Sequence, residues 1–108
     1  LMVEGGLIDT RCHQGDLDGM VAHCRAFDRA VGEAIRFLLH HRDAVLLVTA
    51  DHETGGLRLS EDGKAVLTSN EHTAAPVPLY AAGYGTEELH GSTLRHTDLY
   101  DWMRMLLR

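Results

Sequence analysis

The chain is poor in the residues that most often stiffen or staple a small protein, with 2 prolines and 2 cysteines among 108 residues. Two thiols cannot define a disulfide framework, and Cys12 and Cys24 have neither CxxC nor zinc-finger spacing, so they leave the redox compartment open. Basic clusters are missing as well. Lys and Arg number 10 against 16 Asp and Glu, a net charge of -6 with no Lys/Arg block, which argues against nucleic acid or anionic lipid as the main partner. The longest apolar run, Ala44 to Val48, is far too short to cross a bilayer, so no membrane-spanning segment is expected. No signal peptide is visible, an absence of little weight because Leu1 reads as the end of a strand that begins upstream. No internal repeat, low-complexity tract or linker divides the chain, and a single domain over residues 1–108 is expected.

With 44% hydrophobic and 24% charged residues, the composition is that of an ordinary soluble globular fold. The acidic balance suits cations, and the 8 histidines are many for so short a chain, histidine being the commonest side-chain ligand for metals such as zinc. From Leu17 to about His41, Met20, Cys24, Phe27, Val31, Ala34 and Leu38 recur at steps of three and four, which predicts an amphipathic helix. His40 and His41 close it as favourable C-terminal cations and receive no catalytic role. Ala44 to Ala50 then reads as a strand buried on both faces of a parallel sheet, with Leu1-Met2-Val3 as the tail of its parallel neighbour. Leu57-Arg58-Leu59 and Ala65-Val66-Leu67 flank an Asp62-Gly63 turn, a hairpin signal. A strand over Val77 to Ala82 follows, and a last helix capped by Thr97 runs to Leu107, with Leu99, Trp102, Met103 and Leu106 as its apolar stripe.

Ligands of open α/β sheets bind beyond the carboxyl ends of the strands. Two segments occupy such places: Glu4-Gly5-Gly6-Leu7-Ile8-Asp9 with His13, and Asp51-His52-Glu53-Thr54-Gly55-Gly56. Each sets carboxylate and imidazole donors beside glycines that let the backbone turn sharply, which is how a metal cluster is assembled from residues distant in sequence.

These two motifs, the second beginning at Thr49-Ala50, and then Glu71-His72-Thr73, stand in the order and with roughly the gaps seen in alkaline phosphatases, and the chain resembles the C-terminal part of that catalytic domain. The resemblance implies an α/β fold, the C-terminal portion of a mostly parallel sheet flanked by helices in an α/β/α sandwich. It implies that Asp9, His13 and His72 ligate one zinc, Asp51 and His52 a second, and Glu4 a magnesium. It further implies hydrolysis of phosphate monoesters through a phosphoserine, with both metals holding the phosphoryl group. The nucleophilic serine, further ligands and a phosphate-binding arginine belong to the N-terminal half of such enzymes. Ser60, Ser69 and Ser92 sit in no matching motif, so this chain carries no catalytic nucleophile and is expected to be inactive alone. A periplasmic or extracellular setting and a homodimer are further expectations of the resemblance.

Thr10 departs from the larger His, Lys or Trp that the family often places after the aspartate, and Arg11 reads as a solvated cation. Cys12 reads as a small buried residue beside the site, and His23, His90 and His96 as solvated side chains. Two alternatives stand beside the phosphatase reading: a superfamily relative (phosphomutase, phosphodiesterase or sulfatase), and a metal-binding module without catalysis.

Overall fold

In the computed structural model, which describes residues 1–108, the chain opens with two helices, α1 (Leu7–His13) and α2 (Leu17–His40). Helix α1 stands where the sequence pattern predicts only the segment that follows a strand end. Gly15, at a φ of 67°, makes the turn between the helices. Asp16 caps α2 by accepting the Gly19 N–H at 2.9 Å. Arg11 is committed to the same corner, donating to Asp16 at 3.3 Å and to Gln14 at 3.1 Å. The boundaries of α2 agree with the apolar periodicity, and His41 stands just past its end with its ring stacked on Phe37.

Six short strands follow: β1 (Val45–Val48), β2 (Glu53–Thr54), β3 (Arg58–Leu59), β4 (Ala65–Val66), β5 (His72–Thr73) and β6 (Tyr80–Gly83). They form three two-stranded antiparallel ladders, β1 with β6, β2 with β5 and β3 with β4. The helix-then-strand order of an α/β fold is present, but the mostly parallel sheet expected from sequence is not. Leu1–Val3 is exposed and forms no strand, one edge of β1 is taken by the antiparallel β6, and its other edge carries no strand. Strand β6 begins later than the expected Val77 because Pro76 and Pro78 have no N–H to give to a ladder. The β3–β4 hairpin forms as expected, closed by Ser60 and Lys64 around Gly63 at a φ of 78°.

A 3-10 turn at Glu87–Leu89 precedes the last helix, α3 (His96–Leu106). Its cap is Arg95 rather than Thr97, because Asp98 reaches back to the Arg95 N–H at 2.9 Å and also pairs with the guanidinium. Trp102 is the buried centre of this end, its indole N–H given to the Glu88 carboxylate.

Only 6 of 108 residues are buried, and no large side chain is fully so. Cys12 and Met20 fill the α1–α2 corner, while Thr86, Leu89 and Trp102 fill the α3 end. The accessible surface is 8340 Å², where a folded monomer of 11.9 kDa exposes about 6,000 Å². The chain thus leaves open a broad surface that a closed domain of its mass would cover, including Leu1, Met2, Val3, Leu57 and Leu59.

Gly55 locks the floor between these parts. Its N–H bonds Glu71, its carbonyl accepts from Thr68 and Ser69, and its φ is 90°. A Cβ there would lie 2.7 Å from a Leu67 methyl and 3.3 Å from the Cys12 Cβ. Gly55→Ala is expected to destabilise the fold by about 1–3 kcal/mol. Thermal unfolding followed by circular dichroism checks this, and an unchanged melting temperature would contradict it.

Candidate metal centre

The chemistry-bearing residues arrive from three elements. Asp9 and His13 lie four residues apart in α1, one helical turn, so both side chains face the same way and the Asp9 Oδ1 to His13 Nε2 distance is 3.3 Å. His72 comes from β5, whose register sets it opposite Thr54 of β2. Its Nε2 lies 3.2 Å from Asp9 Oδ1 and 3.0 Å from His13 Nε2. The His52 ring stacks on that of His72 with centroids 3.6 Å apart, and Asp9, His52 and His72 have ligand atoms within 4.8 Å of one another.

Hydrogen bonds orient these donors. His13 Nδ1 is 2.6 Å from the Asn70 carbonyl, which can only accept, so Nδ1 carries a proton and Nε2 is the nitrogen turned toward Asp9 and His72. The Thr54 hydroxyl donates to Asp9 Oδ1 at 2.7 Å, and His52 Nδ1 is 3.1 Å from the same hydroxyl oxygen. This Thr54 bond, aided by the three histidines, holds the Asp9 carboxyl below the ordinary carboxylate range. Glu53 ties the two short strands side chain to side chain. It accepts from Thr73 and from the N–H groups of Gly56 and Leu57, and these bonds, that from Thr73 first, hold its carboxyl below its usual range.

The donor set fits zinc. Bonds of 2.0–2.2 Å at tetrahedral angles space their ligand atoms about 3.3–3.6 Å apart, and Asp9, His13 and His72, at 3.0, 3.2 and 3.3 Å, stand at or slightly inside that spacing. Asp51, in contrast, is exposed over 86% of its side chain, its Oδ2 lying 3.3 Å from His52 Nε2. Glu4 is exposed and makes no side-chain hydrogen bond, but it lines the same cleft as Asp9, Asp51 and His52, a space of about 630 Å³. Asp9, His13 and His72 therefore form one tight group with His52 against it, while Asp51 and Glu4 stand on the rim. Cys12 is 4% exposed beneath α1, its thiol pushed up chiefly by burial, in keeping with a packing residue.

Two residues were missed. His96 is not free: its Nε2 is 3.0 Å from the Ala50 carbonyl, and it shares the cleft with Asp51. Thr54 holds both Asp9 and His52. The signal for Thr54 was its place two residues after His52 in an extended segment, the spacing that returns to one face of a strand.

Imidazoles and carboxylates gathered at one cleft of an α/β chain are the equipment of a metal-binding protein. The chain belongs to the alkaline phosphatase family, whose model matches residues 1–67. It is 36% identical over 97 residues to the streptomycin-6-phosphate phosphatase of Streptomyces griseus, covering 90% of this chain and 21% of that protein. It is 36% identical over 64 residues to alkaline phosphatase 4 of Bacillus subtilis, 59% of this chain and 14% of that one. The alkaline phosphatase of the Antarctic bacterium TAB5 superposes with a TM-score of 0.72 at 29% identity, over 79% of this chain and 28% of its own. Two variants of the TAB5 enzyme carry Mg in a site named M3. The chain thus spans about a fifth or less of the curated relatives it matches.

Because the folded Glu53 carboxyl has a lowered pKa, it contributes stability above its unfolded value of ~4.3, lost as pH falls through the lower folded value. Metal-free Glu53→Gln is therefore expected to unfold at a lower temperature than the parent at pH 7, the gap closing toward pH 3. Melting curves in chelator across that range decide, and a gap constant with pH would refute the assignment.

Proposed function

We propose that this chain is the C-terminal, ligand-bearing part of a metal-dependent phosphomonoesterase, working with an N-terminal portion that brings the serine nucleophile. The observation that carries the reading is the convergence of Asp9, His13 and His72 at the spacing of a zinc site. Asp9, His13 and His72 hold a first zinc, Asp51 and His52 a second, and Glu4 a magnesium. Bound there, the cations supply positive charge to the phosphoryl oxygens and acidify water. This chain's residues do the holding. Stacking of His52 on His72 would hold the two ligand sets side by side, and Asp51 on the rim stays accessible to a ligand arriving from outside the chain.

The open surface, the bare edge of β1 and the short share of the relatives that the chain spans all support a larger catalytic domain. On this reading the 108 residues alone are inactive, for lack of the serine and of ligands to complete the second zinc and the magnesium. The phosphoserine route and the preference for monoesters follow from the family.

The test is elemental analysis for zinc and magnesium together with hydrolysis of p-nitrophenyl phosphate, on the complete polypeptide containing this segment and on its His72→Ala variant. The complete polypeptide is expected to contain zinc and turn over. His72→Ala is expected to lose zinc and at least ~100-fold in rate, since even residues that only orient ligands cost 10–100-fold when removed. A zinc-free protein that still hydrolyses the ester at full rate would sink the proposal.

A further inference from the structure

The Thr54 hydroxyl is the one group that touches a donor from each proposed zinc position. It lies 2.7 Å from Asp9 Oδ1 and 3.1 Å from His52 Nδ1. A threonine hydroxyl has a single proton to give, and a carboxylate accepts only. The proton therefore goes to Asp9, and toward His52 the oxygen can only accept. His52 then presents Nδ1–H to Thr54, which leaves Nε2 as the ring nitrogen that can turn to a metal.

Nε2 faces the Asp51 Oδ2 at 3.3 Å, so a proton or a cation belongs between them. Thr54 lies in β2, whose register sets it opposite His72, and His52, in the bend that leads into that strand, reaches its hydroxyl through Nδ1.

We infer that Thr54 is a positioning residue whose hydroxyl relays a fixed hydrogen-bond direction from His52 to Asp9, setting the His52 tautomer for metal binding and joining the two zinc positions. This rests on the phosphatase reading only for the identity of the metal, since the tautomer itself exists without metal.

The experiment uses the complete polypeptide, as wild type, Thr54→Val, which keeps the shape and removes the hydroxyl, and Thr54→Ser, which keeps the hydroxyl. In metal-free protein, ¹⁵N resonances of the imidazoles report the tautomer of each ring. His52 is expected as Nδ1–H in wild type and Thr54→Ser, and as a mixture in Thr54→Val. Zinc alone, titrated against a chromophoric chelator, is expected to bind about 10–100-fold more weakly to Thr54→Val. Thr54→Ser should stay within about 3-fold of wild type. Nε2–H as the wild-type His52 tautomer, or equal zinc affinity in wild type and Thr54→Val, overturns the inference. If Thr54→Val fails to fold, the wild-type tautomer still decides. Wild type that takes up no zinc would instead refute the phosphatase reading, with the relay judged on its spectrum.

Discussion

The constraint on which the site depends is the crowding of atoms that all want a positive partner. Asp9 Oδ1, His13 Nε2 and His72 Nε2 lie within 3.0 to 3.3 Å of one another, while the Nδ1 proton of His13 is held by the Asn70 carbonyl on the far side of its ring. Lone pairs at that range repel unless a proton or a cation sits among them. The chain accepts this arrangement through two local geometries. One turn of α1 superposes Asp9 and His13, and the β2–β5 register delivers His72 opposite Thr54. The first is set within one helical turn, while the second brings in a residue 63 positions from Asp9, so the cluster needs the tertiary fold to close.

The scaffold around it follows a different logic. Burial is confined to a corner under α1 and a plug around Trp102, and the accessible surface is far larger than the mass calls for. Apolar burial is the main favourable contribution to folding, so a chain that leaves Leu1 to Val3, Leu57 and Leu59 in water forgoes much of it. The bare edge of β1 has the same meaning in hydrogen bonds, since a strand of the Val-Leu-Leu-Val type is built for neighbours on both sides.

Legibility from sequence divides along the same line. Helix α2 was readable to within a residue because its apolar steps run for six turns, and the β3–β4 hairpin because Asp62-Gly63 demands its turn. The grouping of Asp9, His13 and His72 was legible from motif order, the link between α1 and β5 being written nowhere in local periodicity. Helix α1 was overlooked although the four-residue step from Asp9 to His13 is itself a helical signal. The parallel pairing was inferred from an apolar run that states burial on two faces but not the direction of the neighbour, and β6 supplied the opposite direction. Thr97 lost the cap of α3 to Arg95 because Asp98, three residues on, completes a reciprocal pair that a lone threonine lacks.

A ladder of two residues per strand cannot hold β2 and β5 in place by backbone bonds alone. What holds them is side-chain chemistry: Glu53 bonding Thr73 across the ladder, and Thr54 bonding Asp9 across to α1. Both links are made by anions that a fall in pH or the loss of a hydroxyl would weaken, and both end one residue from, or on, a proposed ligand. On the proposed reading metal affinity and local stability would be linked, because a cation drawing Asp9, His13 and His72 together would strengthen the register that brings them there. A segment so thinly packed keeps its ligand-bearing strands in register through these two side-chain links rather than through a core beneath them.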